Sequence, residues 1–377
     1  MDYVSLFSGC GGADCGLMQA GLKSRLHVEW NIDCRRSLKR NDPDCPIDDA
    51  NLFDLSVGTV LQRNGLGADF GGLIWLSPPC QGLSESGKKL GWDDPRNELL
   101  FTVAEACRYA PQAWIVMEQV RGVRMGNAKP LWEELLFQIE ETGRESCPWL
   151  LHAVHFGLAQ TRKRIFLICP PQGHPMPEMP HGDWELFQPP TLFDAIHPTT
   201  GFVDKYPKII ELSDNEQWLR EGIPAGGNWR DTFRGREYVF GYWKRKVRRI
   251  RAEGKVIASR PRPPMPRHLA RLAWDKPTGT VMACWPSHMG SHVGMVHPDL
   301  PRHLTNGELF ALQGFPPEWI IKAKGYDETI KDKDGKDKVV KISAQRSRRR
   351  QIGNAVPPIF AQVVAESILK CIKTHGK

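Results

Sequence analysis

Short apolar runs alternate with helical patterns through the first 170 residues. The pattern predicts strands at 4–7, 26–29, 73–76, 114–117, 152–155 and 165–168. Helices are predicted near 13–20, 32–40, 98–109 and 132–141. Strands alternating with helices point to βαβ units, hence an α/β fold around a mainly parallel sheet. Near Pro170 the texture changes. Residues 170–201 are crowded with Pro, Gly and His, as a linker or irregular module would be. The pattern then stays broken to about residue 300, rich in Trp, Arg and Pro and without an internal repeat. A short helix is predicted at 305–313, a lysine- and aspartate-rich surface excursion at 322–349, and a helix over 353–374 with Pro357 and Pro358 in its first turn.

The length of 377 residues allows a large catalytic core plus a second module. A hydrophobic fraction of 41% and a charged fraction of 25% are those of an ordinary globular protein. No run of about 18 apolar residues is evident, so no membrane span is expected. The first residues lack the basic start of a secretory signal, and a cytoplasmic location is expected. Ten scattered cysteines with no C-x-x-C pair fit a reducing compartment better than a disulfide scaffold or a zinc site. His288 and His292 have H-x-x-x-H spacing but lie in a Gly-Ser stretch without an acidic partner, so no metal is expected. The net charge of +8 is concentrated at 244–255 (KRKVRRIRAEGK) and 346–350 (RSRRR). Such clusters either neutralise phosphates or form solvated faces.

The candidate chemistry begins at Phe7-Ser8-Gly9-Cys10-Gly11-Gly12, a glycine turn between a strand and a helix. Glycine lets the backbone approach a ligand closely, and the helix N-terminus favours an anionic group. The next strand ends in Glu29-Trp30, placing a carboxylate for ribose hydroxyls and an aromatic ring for an adenine. NAD and S-adenosylmethionine fit these two signals equally. Ser77-Pro78-Pro79-Cys80-Gln81 follows the apolar run at 73–76. The prolines hold Cys80 at the carboxyl end of a strand, where open α/β sheets bind ligands. The residues alone leave a structural cysteine as the alternative. Glu118-Gln119-Val120 follows the strand at 114–117, and Gln160-Thr161-Arg162-Lys163-Arg164 precedes the one at 165–168. Alternation puts Gln160, Arg162 and Arg164 on one side of an extended segment.

Taken in order, these elements resemble the family of S-adenosylmethionine-dependent cytosine-C5 DNA methyltransferases. Pro-Pro-Cys-Gln is followed by Gly87-Lys88-Lys89 and Asp94-Pro95-Arg96, then by the Glu118 strand and Gln-x-Arg-x-Arg. The match resumes at Ile223-Pro224-Ala225-Gly226-Gly227-Asn228-Trp229-Arg230, at 271–277, at His297-Pro298, at Thr305 and Glu308, at 312–316 and at 351–358. It covers the chain apart from parts of 175–270 and 322–345.

The resemblance implies a Rossmann-like catalytic domain over 1–172 and 350–377, with a smaller irregular target-recognition domain and hinge over 173–349. It implies Cys80 as the thiolate that adds to carbon 6 of cytosine and makes carbon 5 nucleophilic. Glu118 would hydrogen-bond the N3 and amino edge of the base, which requires a proton on the carboxyl or on N3. Arg164 would contact the flipped base or its phosphate, and Arg162 would help orient Glu118. S-adenosyl-L-methionine, leaving as S-adenosyl-L-homocysteine, would be held by Phe7, Gly9, Gly11, Glu29, Trp30, Asp49, Pro78, Leu99, Asn354 and Val356. Double-stranded DNA would be the partner, met by Gln81, by Ser84, Lys88 and Lys89 on a closing loop over Gly82 to Gly91, and by Trp229, Arg230, Arg234 and Arg236 beyond it. A monomer is expected, with possible pairing to a restriction endonuclease. Two positions depart from the family pattern. Gln119 stands where Asn is usual, which could alter how its strand braces the Pro-Pro-Cys loop, and Ser5 stands where an acidic residue is frequent. A tRNA cytosine methyltransferase of the same fold and a non-catalytic DNA-binding relative are the alternatives.

Overall fold

The computed structural model describes residues 1–79, 95–182, 188–212, 217, 220–227, 252, 269–283, 294–331 and 336–375. Its centre is a seven-stranded sheet of β1 (Asp2–Leu6), β2 (Lys23–Val28), β3 (Ile47–Asp48), β4 (Leu73–Leu76), β5 (Trp114–Val120), β6 (Cys147–His152) and β7 (Lys163–Cys169). The order is β3-β2-β1-β4-β5-β7-β6, and β7 alone runs against its neighbours. Chain order reverses between β1 and β4. In such sheets the crevice beyond the carboxyl ends at that reversal receives the ligand.

Side-chain alternation along the strands builds two cores. On one face Leu6, Leu76, Met117 and Leu167 pack with α3 (Val57–Arg63), α4 (Thr102–Tyr109) and α5 (Lys129–Glu140). On the other, Trp75, Val116 and Phe166 pack with Leu17 of α1 (Gly12–Gln19) and with Phe360, Val364 and Ile368 of the last helix. That helix (Pro358–His375) returns to lie on α1, so the two ends of the chain share one layer. The approach needs glycine. A Cβ on Gly12 would lie 2.3 Å from the Val356 carbonyl oxygen, and one on Gly16 1.9 Å from that of Pro358. A third core joins Cys10 and Cys15 to Leu304, Leu309, Phe315, Trp319 and Ile352. It fixes residues of the later chain directly behind the glycine turn.

Three expectations change. The strand predicted at 152–155 lies earlier, at Cys147–His152, because the chain then tightens into a 3-10 turn closed by Gly157 at φ 84°. The excursion at 322–349 contains an antiparallel hairpin, Gly325–Lys331 with Asp337–Ser343, and most of the helix Ala344–Asn354. The hairpin's base is anchored by Asp33 in α2 (Ile32–Asn41), which accepts from the backbone N–H groups of Lys324 and Gly325. The segment Ala344–His375 is apolar enough, at a mean hydropathy of 1.4 over one 18-residue window, to pass for a membrane span by length and composition. Here 56% of that window is buried, as in a core helix.

Candidate active site

The turn after β1 is conformationally costly. Phe7 has φ 58°, alone among the described non-glycine residues in being positive, and Gly9 (58°) and Gly11 (85°) follow it into the left-handed region. Such strain persists only where surrounding structure enforces it, and it concentrates at ligand sites. Ser8 donates its hydroxyl to the Ser5 carbonyl at 2.9 Å, tying the turn to the strand. Gly11 is roofed by Trp319, whose indole N–H donates to the Cys10 carbonyl at 3.1 Å. Gly9 is different: nothing lies within 4 Å of where its Cβ would be. It faces open space, as a close-approach position for a ligand must.

Glu29, directly beyond β2, is buried beside this turn. Its Oε2 accepts from Gly9 N–H at 2.8 Å and its Oε1 from Asn31 N–H at 2.7 Å. Burial pushes its carboxyl above the usual range, and the two backbone N–H groups and Arg35 only partly offset that. Each oxygen keeps a further lone pair for a ligand hydroxyl. Trp30 is 62% exposed beside it, a large apolar ring without a protein cover. Asp49 is exposed at the end of β3 and paired with Arg35 at 3.0 Å. Val356 is buried with its carbonyl against Gly12, whereas Asn354 is exposed. Leu99 and Pro78 are buried.

The other half of the site lies at the ends of β4, β5 and β7. Glu118 on β5 is 9% exposed, and Arg164 Nε lies 2.8 Å from its Oε1. Their register is diagonal, since Glu118 pairs with Phe166 and Arg164 with Val120. Both side chains therefore leave the same face of the sheet. Gln119, on the opposite face, reaches across to β4: its Nε2 donates to the Pro78 carbonyl at 3.2 Å. Its Oε1 accepts from the Val120 N–H at 2.8 Å, which locks the amide's orientation. The segment leading into Cys80 is thus braced by the residue next to Glu118. A strained turn, an open glycine, a buried carboxylate and a paired Glu–Arg couple share one sheet edge.

The family described as C-5 cytosine-specific DNA methylase matches residues 1–370. The chain belongs to that family. The methylase is 29% identical over 375 residues to the type II methyltransferase M1.HphI of Haemophilus parahaemolyticus, covering 98% of this chain and 87% of the relative. It is 26% identical over 404 residues to the type II methyltransferase M.DdeI of Desulfomicrobium norvegicum, covering 98% and 88%. Its fold matches that of the Dnmt2 methyltransferase of S. pombe with a TM-score of 0.60 at 13% identity, over 99% of each chain. A methyltransferase of Entamoeba histolytica matches with a TM-score of 0.61 at 11% identity, over 100% of this chain and 99% of the other. Enzymes of this family use S-adenosylmethionine, and their substrate is DNA.

Arg162, expected to help orient Glu118, is set between the sheet and the later chain. It is 2% exposed, and its guanidinium donates to the carbonyls of Val281, Gly353 and Ala355 at 3.1–3.4 Å. The alternation that groups it with Arg164 holds only inside β7, which begins at Lys163. Gln160 shares the inward direction: it donates to the Leu312 carbonyl at 2.9 Å and accepts from Val281 N–H at 3.0 Å. Both tie the sheet to the later chain. Asp14 was not singled out by sequence. It sits in α1, and Ser5 donates to it at 3.3 Å, so a carboxylate reaches the strand position that carries none of its own. Cys80, Gln81, Ser84, Lys88, Lys89, Trp229, Arg230, Arg234, Arg236, His288 and His292 lie outside the described residues.

Proposed function

We propose that this methylase flips a cytosine out of a specific duplex site and methylates its carbon 5, with Cys80 as nucleophile. The observation that carries this reading is the Glu118–Arg164 couple, 2.8 Å apart, on the same sheet edge as Gly9 and Glu29. In this reading the Cys80 thiolate forms a bond to carbon 6 and pushes electron density to carbon 5. Glu118 holds the N3 and amino edge of the base. Arg164, which would contact the flipped base or its phosphate, also keeps that carboxylate in place, while Gln119 holds the Pro78 end of the cysteine segment. Loss of the carbon 5 proton and of the Cys80 sulfur restores the aromatic ring after transfer.

S-adenosylmethionine fits the residues present. Gly9 leaves room at its α-carbon, Glu29 offers lone pairs for ribose hydroxyls, and Trp30 and Phe7 offer rings for the adenine. When bound, it supplies the methyl group. Asp49, Pro78, Leu99, Asn354 and Val356 would complete its pocket, and Gly11 the turn beneath. Residues 1–172 and 350–377 would form the catalytic domain and 173–349 the recognition domain with its hinge. Gln81, Ser84, Lys88, Lys89, Trp229, Arg230, Arg234 and Arg236 would meet DNA. The enzyme would act as a monomer, and the type II names of its relatives favour pairing with a restriction endonuclease.

The test is nucleoside mass spectrometry of plasmid DNA and, separately, tRNA, each incubated with S-adenosylmethionine and either the protein or its Cys80→Ala variant. 5-Methyldeoxycytidine in DNA, absent with the variant, is expected. Product in tRNA alone would move the substrate to RNA, and product from the variant would remove Cys80 from the reaction.

A further inference from the structure

Under the glycine turn, on the α1 side of the sheet, lies a buried cluster that the methyl-transfer reading does not use. His27 projects from β2 between two carboxylates, with Nδ1 2.9 Å from Asp14 Oδ1 and Nε2 2.9 Å from Asp42 Oδ2. The Asp14 contact is an ion-pair approach more than a linear hydrogen bond, because the ring N–H is not aimed at the oxygen. Cys45, buried, completes the group: a histidine nitrogen, an Asp42 oxygen and the Cys45 sulfur all lie within 4.8 Å of one another. Among the described residues no other His, Cys, Asp and Glu set brings three donors this close.

We propose that this cluster binds one zinc ion through His27 Nε2, an Asp42 carboxylate oxygen and Cys45 Sγ, with water in the fourth position. Nitrogen, oxygen and thiolate sulfur are zinc's usual donor set, and bonds of about 2.0–2.3 Å ask the donor atoms to stand roughly 3.3–3.7 Å apart. The three donors lie within 4.8 Å of one another and would have to move to that spacing around the ion. Asp14 Oδ1 lies 2.9 Å from Nδ1 without hydrogen-bond alignment, so the ring would have to turn slightly for Asp14 to become the carboxylate that metal-bound histidines hold on their far side. On binding, the Sγ proton and any proton on Nε2 leave to solvent, and both atoms give a lone pair to the cation.

A surface cavity of about 420 Å³ reaches the group at Cys45, the one proposed ligand in its wall. The cations on its rim are each tied down: Arg35 to Asp49, Arg36 to Asp33 and Lys39 to the Pro43 carbonyl. The ion would join the end of α2 to β2 and to the segment entering β3. These are the pieces that carry Glu29 and Asp49, so it would stiffen the ribose side of the pocket without touching a substrate.

The test uses the full chain, stripped with a chelator, desalted and titrated with Co²⁺ and then Zn²⁺. The proposal expects one equivalent of cobalt with a near-ultraviolet sulfur-to-metal band, displacement by zinc, and a higher melting temperature in zinc. Cys45→Ser should abolish the band, while Cys147→Ser and Cys80→Ala should keep it. Asp14→Asn should keep the band and weaken binding about 10–100-fold. If Cys45→Ser does not fold, Asp42→Asn carries the test, and unchanged affinity there overturns the site. Absence of stoichiometric cobalt, or a band that persists in Cys45→Ser, overturns it as well.

Discussion

Arg164 Nε and Glu118 Oε1 are 2.8 Å apart across antiparallel strands, and each belongs to a different strand end of the proposed base pocket. The pairing has a kinetic consequence and a structural one. Glu118→Gln keeps the shape but removes the carboxylate and its proton chemistry, and should lower kcat by about 10²–10⁴-fold. Arg164→Ala strands a nearly buried carboxylate and should also cost about 2 kcal/mol of stability. Methyl incorporation into DNA and thermal melting separate the two. Unaltered melting in Arg164→Ala would mean that Glu118 finds another partner.

Much of this arrangement is legible in the chain, and the limits have physical causes. β1, β2, β4, β5 and β7 stand near their predicted places because apolar runs between glycine and proline turns admit few other solutions. β3, with two residues, is too short to leave a periodic signal. Arg162 and Arg164 look equivalent from alternation, but their partners lie at Gly353 and Glu118, and no local pattern encodes such distant neighbours. The same holds for Asp14, whose contacts with Ser5 and His27 arise only when α1 folds over the sheet. The glycines at 9, 12 and 16 look alike in sequence, yet Gly9 faces open space while Gly12 and Gly16 meet the carbonyls of Val356 and Pro358.

Gln119, the departure that could alter how its strand braces the cysteine segment, donates to the Pro78 carbonyl at 3.2 Å. Gln119→Leu removes the donor and leaves that buried carbonyl unpaired, at a cost of about 1–3 kcal/mol. The rate should fall along with stability, since the misplaced segment carries Cys80. Gln119→Asn shortens the reach by one methylene and should lose part of both. Single-turnover methylation beside a urea melt would show it. A fully active, less stable Gln119→Leu would confine the brace to folding.

If Glu29 holds the ribose as proposed, cofactor binding and stability should depend on pH in opposite senses. Burial raises its carboxyl above the unfolded value. Its contribution to stability is therefore fully present below the unfolded glutamate pKa and is lost as pH rises through the folded one. Binding runs the other way, because only the carboxylate accepts from two ribose hydroxyls. Affinity for S-adenosylmethionine should fall as pH drops into the weakly acidic range, at a higher pH than an ordinary carboxylate would allow. Calorimetric titration across that range should show the fall in the wild type and a flat, weaker profile in Glu29→Gln. A parallel profile in both proteins would remove Glu29 from the pocket.

Gly9 and Gly16 separate ligand space from packing space. Gly9→Ala meets nothing within 4 Å in the protein, so its cost to folding is that of φ 58°, about 1 kcal/mol for a residue with a Cβ. The added methyl occupies the open space beside Glu29, and binding of S-adenosylmethionine should fall far more than stability does. Gly16→Ala drives a Cβ to 1.9 Å from the Pro358 carbonyl, backbone that cannot yield without moving the last helix. It should cost about 3 kcal/mol, the upper end for overpacking, while the part that remains folded binds S-adenosylmethionine with an affinity close to wild type. Chemical melts with and without the cofactor distinguish the two, because ligand stabilisation disappears in Gly9→Ala and persists in Gly16→Ala. Full ligand stabilisation of Gly9→Ala would place the cofactor away from this turn.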